Sequence, residues 1–324
     1  MVINDKQALR RCVKQAVRRA EIVETMLDFD VFKGEMGVKA LHEQMIPASG
    51  TPIATDYAAA ITSMEALELP SGDRVRAELI QNSYTRDAYL REILDVMHAK
   101  YVLVRIPTKN VQELPFHDDR LVPLLSISSN EFVPGRYGID YRQCAEKIDG
   151  YVHKCNGQDI LLETFDEDVL KYCLFPLCQD KKYRLHIGIS NEEELHTLIL
   201  LADRTLDFQI IVFSDTNLEC KLIDAAITRE RLLVRLSAVE HLSYAFSKLG
   251  FRFIPYASCA KLPEMMLGRW INAREKIWQA LCEAYLPLAR CGYNLTSENI
   301  EKDVQLLMSN LKFKNNEIAQ NALE

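Results

Sequence analysis

The sequence has no run approaching the roughly 18 apolar residues that a bilayer crossing needs, so a membrane-spanning helix is not expected. It also has no Lys/Arg block. Its 39 basic residues are outnumbered by 46 acidic ones, and the formal net charge of −7 argues against nucleic acid or an anionic membrane surface as the main partner. Nine cysteines are an odd number, scattered without a CxxC pair, which excludes a disulfide framework and a zinc knuckle. Reduced thiols in a cytoplasm are the expectation. The histidines at His42, His98, His117, His153, His186, His196 and His241 form neither HxH nor HExxH. Internal repeats, low-complexity tracts and a Ser/Gly linker are missing too, which argues against a solenoid or tethered domains.

What is present is a chain of 324 residues, 48% hydrophobic, with mean hydropathy −0.11, ample for a sizeable core. The N-terminus carries several basic residues, but Leu9, Val13, Ala16 and Val17 recur at helical spacing. With Asn4 as the expected N-cap and Gln7 three residues on, it reads as an amphipathic opening helix rather than a targeting address. Short apolar runs rich in β-branched or aromatic residues follow. They span 22–32, 101–106, 121–127, 159–165, 183–189, 208–213, 231–236 and 251–256, as strands buried on both faces of a parallel sheet require. Helical patterns lie between them at 88–98, 141–153, 192–202, 218–228 and 238–249. This alternation predicts right-handed βαβ units, and eight strands close a (β/α)₈ barrel.

The spacing is uneven. The gap between the first two runs is far longer than one crossover needs and holds helical segments at 56–67 and from Arg74. It predicts a helical insertion over about 33–99, on the functional face of the barrel. A long helix over 262–289 follows the last strand, and Thr296 caps a final helix at 297–310. The expected organisation is one α/β barrel domain over 1–313, including a helical tail over about 262–313, and a flexible tail at 314–324.

In such a barrel, chemistry sits at the C-terminal ends of the strands. Asp28 and Asp30 alternate in the first strand and share a side, which suits a hard cation or an acid–base pair, or a merely solvated pair. His186, in the string LHIG of the fifth strand, is polar where apolar is expected. It is either a ligand or proton-transfer group, or a core histidine satisfied by a backbone carbonyl. Cys259 follows the eighth strand with Lys261 two residues later, so it is either an activated thiol or a small inert residue. Glu163, at the end of the fourth run, is a further mouth carboxylate or a solvated rim residue.

The stretch from FRFIPYASCAKLPEMMLGRW to SENIEKDV, the opening DKQALRRCVKQAVRRAEIVE with DFDVFKGEMG, and LHIG resemble the uronate isomerases. These are distorted (β/α)₈ barrels of the amidohydrolase superfamily. The likeness runs from end to end and is thin in the middle; Trp270 lies in its most specific part. The resemblance implies interconversion of glucuronate or galacturonate with a ketose acid. It also implies a divalent metal held by an HxH pair after the first strand and an Asp after the eighth, with an Arg supporting the substrate.

Position by position, most of these roles fail. The HxH pair falls on Asp28 and Asp30, or on Leu27 and Phe29 if anchored upstream. The strand-eight Asp falls on Cys259 and the Arg on Lys261, while His186 is kept. Hard carboxylates and a soft thiolate do not select one metal, and Cys beside Lys is a poor base for C–H proton transfer. The resemblance also implies that the chain is short for the family, in the helical segment after the first strand.

The expectation is therefore a uronate isomerase-like barrel that has lost the parent metal site and activity while binding a sugar acid or small anion. On that reading Asp28, Asp30, His186 and Cys259 are the catalytic candidates, Lys261 and Glu163 contact the ligand, and Asp28 and Asp30 are the metal candidates, for zinc or manganese. Two alternatives stay open: an active isomerase or hydrolase rebuilt around Asp28, Asp30 and His186, and a structural subunit whose terminal helices drive oligomerisation. A homo-oligomer without nucleic-acid or membrane partners is expected.

Overall fold

The chain opens with α1 (Lys6–Arg19), which buries Leu9, Val13, Ala16 and Val17. The computed structural model describes residues 5–28, 41, 55–71, 73–111, 118–131, 140–203, 207–214, 216–260 and 262–311. The cap of α1 is Asp5, whose Oδ2 accepts from the Ala8 amide at 3.1 Å. The expected cap Asn4 and the expected flexible tail at 314–324 lie outside the described residues.

Eight strands follow: β1 (Ile22–Asp28), β2 (Ala99–Pro107), β3 (Leu121–Ile127), β4 (Asp159–Leu162), β5 (Arg184–Ile189), β6 (Ile210–Ser214), β7 (Leu232–Arg235) and β8 (Phe253–Ile254). They lie in chain order, each parallel to the next, with crossover helices such as Tyr141–Lys154 and Glu192–Ala202 between them. The expected (β/α)₈ architecture is thus the observed one. β4 and β8 are shorter than their apolar runs, ending where the chain turns to irregular structure, whereas β2 extends beyond its run at both ends.

The sheet curls so that β1 meets the segment after β8 through a parallel bridge between Leu27 and Ala260. One side chain secures that seam. Glu24 is wholly buried; its Oε1 accepts from the amides of Thr25 at 2.8 Å and Met26 at 3.0 Å. Its Oε2 accepts from the Ser258 amide at 3.0 Å and from the Trp270 indole at 2.6 Å. The two local bonds coincide with the β1 register shift between Glu24 and Leu27, where the strand stops pairing regularly with β2.

Inside the barrel, Val23, Leu103, Leu124, Leu161, Ile211, Leu233 and Ile254 form an apolar cluster, with Leu311 packed among them. Seven strands contribute to it. At the corresponding level β5 presents His186, which registers with Leu161 on one side and Ile211 on the other. Asn310 donates to the carbonyls of Phe251 and Phe253, so Leu311 enters from the end at which β8 starts.

Among the described residues, the helices Thr55–Ala66, Arg74–Gln81 and Arg86–Val96 lie between β1 and β2. The first crosses the long helix Pro263–Arg290 at Gly268, where a Cβ would lie 1.8 Å from the Ala59 carbonyl oxygen. Arg274 of that long helix donates to the carbonyls of Val17, Ala20 and Met97, tying the ends of two helical segments to the tail. Among the described residues, no helix is long and apolar enough to cross a membrane.

Because Glu24 accepts four N–H bonds and offers none, Glu24→Gln turns an amide group toward two of those donors. The expected loss is about 3 kcal/mol or more of unfolding free energy, since buried donors without acceptors each cost about 1–3 kcal/mol. Urea unfolding compared with wild type reads this directly, and an unchanged midpoint would refute the seam role.

Candidate functional site

The C-terminal ends of the strands place a small set of polar side chains around the barrel mouth. Asp28, the last residue of β1, is about a quarter exposed, and its Oδ1 lies 2.9 Å from Nε of Arg105 on β2. Asp28 registers with Arg105 across the strand pair, so the ion pair follows from the sheet itself. Its expected partner Asp30 lies outside the described residues. The acidic pair foreseen in the sequence is therefore represented by an acid–base pair, with Arg105 as the partner that strand register alone could have nominated.

Glu163 lies just past β4 and is exposed; its Oε1 accepts from Ser126 Oγ at 2.6 Å. That makes it a rim carboxylate steadied by β3. Cys259 is an exposed residue in the left-handed region, φ 46°. Its thiol sits near Arg235, Glu24, Arg269 and Asp28. Desolvation raises the thiol pKa and outweighs the pull of the arginines, so no activated thiolate is favoured there. Lys261, expected to assist it, lies outside the described residues.

His186 is not at the rim. It is wholly buried in the interior layer, and its Nε2 lies 2.9 Å from Oδ1 of Asp159. Asp159 opens β4 and is held by a bidentate fork from Arg184, the first residue of β5, at 2.8 and 2.5 Å. Burial alone would raise the Asp159 pKa, but Arg184 and His186 outweigh it and hold the carboxyl below its ordinary range. Burial lowers the His186 pKa despite Asp159, so the ring is neutral. The partner of His186 is a carboxylate rather than the backbone carbonyl of the structural alternative. Asp159 and Arg184 went unnoticed in the sequence; the signal was a charged residue at the start of each of two apolar runs.

Arg235 is the strongest residue that sequence reasoning missed. It ends β7, registers with interior-facing Ile254, and is only 2% exposed. Its guanidinium carbon lies 3.7 Å from the ring centroid of Phe213 on β6. Phe213 registers with Gly188 of β5, where a Cβ would lie 3.0 Å from the ring. Glycine there lets the ring lie flat across β5 and present its face to the guanidinium. Arg235 Nε has no hydrogen-bond partner, and no carboxylate pairs with the group among the described residues. Desolvation lowers the Arg235 pKa, with Cys259, Glu24 and Glu219 opposing from a distance.

A metal would need about three converging ligands. Among the described residues, no three His, Cys, Asp or Glu side chains gather in such an arrangement. Asp28 is engaged by Arg105 and His186 by Asp159, so the described residues do not make the metal centre that the resemblance implied.

In sequence the chain matches no family model and none of the curated proteins. Solved structures do share its architecture. A uronate isomerase from Bacillus halodurans C-125 superposes with a TM-score of 0.82 at 14% identity, over 94% of this chain and 95% of that one. A candidate metal-dependent hydrolase from Lactobacillus casei ATCC 334 superposes with a TM-score of 0.64 at 11% identity, over 91% and 95%. At these identities the likeness is one of fold.

The neutral state of His186 sets a pH dependence. The unfolded chain takes up a proton near pH 6.5 and the folded chain does so only at lower pH, so stability from this group is complete above 6.5 and falls toward acid. His186→Gln removes that proton uptake. The stability difference between wild type and variant is therefore expected to shrink from neutral pH to about pH 5 in urea unfolding; a difference that stays constant would show that burial does not hold the ring neutral.

Proposed function

We propose that this chain binds a small organic anion, a sugar acid first among the candidates, at the C-terminal mouth of its barrel, and that it lacks the metal-dependent uronate isomerisation. The observation that carries this reading is Arg235: a buried guanidinium, pinned on Phe213, with no counter-charge among the described residues. Leaving a buried cation uncompensated is costly, and native proteins pair such charges or use them. Of the other strand arginines, Arg184 is matched by Asp159 inside the barrel and Arg105 by Asp28 at the rim. Stacking fixes the plane of the Arg235 fork, which suits two-point recognition of a carboxylate or phosphate.

The barrel supports the same reading, because in this architecture ligands enter at the C-terminal ends of the strands. Arg235, Phe213, Asp28 and Glu163 all lie at or near those ends. The uronate isomerase of like fold makes uronates the sugar acids to try first. The absence of parent activity is supported by the side chains at the matched positions: Asp28 is occupied by an arginine, and the Cys259 thiol has a raised pKa. A thiol with a raised pKa is a poor base for moving a proton between carbons, and Asp28 is held by its ion pair with Arg105.

Calorimetric titration with glucuronate and galacturonate tests the binding half. Wild type is expected to bind, and Arg235→Met to lose about tenfold or more, as removal of a charge-assisted pair implies. Equal binding by the two proteins would move the anion site elsewhere. For the second half, an isomerisation assay with added zinc or manganese is expected to show no turnover; clear turnover in a preparation free of contaminating enzyme overturns it.

A further inference from the structure

Among the buried side-chain atoms without a hydrogen-bond partner are Nε of Arg235 and Nδ1 of His186, together with the hydroxyls of Thr25 and Ser258. The two nitrogens differ in kind. Asp159 is kept ionised by the Arg184 fork, and an ionised carboxylate only accepts hydrogen bonds. The proton of the neutral imidazole therefore resides on Nε2, which faces Asp159, and Nδ1 carries a lone pair. Arg235 is thus an unmatched cationic donor and His186 an unmatched neutral acceptor.

Strand register relates the two. His186 pairs with Ile211, Ile211 with Leu233, and Arg235 lies two residues beyond Leu233. His186 is accordingly one layer deeper than Arg235 on the same inner face of the sheet. On β5 the position above His186 is Gly188, which brings no side chain of its own and is approached by the Phe213 ring that supports Arg235. A ligand with charge alone would satisfy Arg235 and leave Nδ1 unmatched. A ligand that also carries a hydrogen would satisfy both.

We propose that Arg235 and His186 form one recognition site in which Arg235 holds an anion and His186 Nδ1 accepts a hydrogen bond from that same anion, selecting ligands that bring their own donor. Protonated phosphate groups and hydroxy acids have this chemistry; sulfate and plain carboxylates do not. Discrimination follows because an analogue lacking the donor leaves a buried acceptor unpaired, which costs more than a missing contact at a wet surface. His186 is then a specificity-determining residue, and Asp159 is the positioning residue that fixes its tautomer. This inference rests on the reading of Arg235 as the anion anchor.

Two matched pairs of probes test it in wild type at neutral pH: inorganic phosphate against sulfate, and glycolate against acetate. Titration is expected to favour the donor-bearing member of a pair by about tenfold or more. A preference in one pair alone supports the site and assigns the donor to a phosphoryl or a hydroxy-acid group. His186→Phe is expected to keep acetate and sulfate binding and erase the preference, while Arg235→Met weakens every probe. If His186→Phe fails to fold, the wild-type pairs decide alone. Equal affinity within both pairs overturns the selection and leaves the anion anchor standing; no binding by any probe, glucuronate included, overturns both.

Discussion

The closing of the barrel depends on one carboxylate. A sheet of eight parallel strands has two free edges unless its last strand meets its first, and here β8 is only two residues long. Ordinary ladder pairing cannot close so short an edge. Glu24 replaces that ladder with side-chain acceptance, gathering amides from β1 itself, the Ser258 amide beyond β8 and the Trp270 indole of the long terminal helix. Three parts of the chain, more than two hundred residues apart in the cases of Ser258 and Trp270, are fixed to one another at a single buried point. The bridge between Leu27 and Ala260 and the left-handed turn at Cys259 both lie within a few residues of it.

Buried arginines in this fold are matched to different degrees. Arg274 is nearly as enclosed as Arg235, and desolvation lowers its pKa to about 10. Yet its guanidinium reaches three backbone carbonyls that end helical segments, so its donors are matched by groups needing donors. Arg184 is matched in another way, by a bidentate carboxylate. Arg235 has an aromatic face on one side and nothing acting as an acceptor for Nε. An aromatic face recovers part of the desolvation cost but does not replace hydrogen bonds. In the proposed reading, the remaining deficit is what an anion would fill at the mouth.

Most of the fold was legible in the sequence because buried parallel strands leave a simple trace: short, β-branched, apolar runs between helical periods. Leu121–Ile127 and Glu192–Ala202 coincide with the expected bounds to the residue. The site was less legible for a physical reason. Asp159, Arg184 and Arg235 stand at the edges of those runs, where a charge reads as a solvated strand end. Only closure of the sheet, with its fixed register, turns them inward and brings Asp159 beside both Arg184 and His186. Asp28 was visible as a strand-end acid, but its neutralisation by Arg105 came from pairing with a strand that starts seventy-one residues later.

The separation of seam from mouth explains how such a barrel tolerates changed side chains at the C-terminal ends of its strands. Glu24 makes its bonds to backbone amides and to Trp270, none of which requires a particular side chain at Asp28 or Cys259. Asp28 is partly exposed and paired laterally with Arg105; the Cys259 residue is exposed on its turn. Neither enters the apolar layer that fills the interior. Changing these rim residues alters charge and proton affinity where a ligand arrives while leaving closure and core packing in place. His186 is the exception, since it belongs to the packed layer and is tied below to Asp159. A residue so placed is oriented by its partner below, so the direction in which its free nitrogen faces is set by the fold itself.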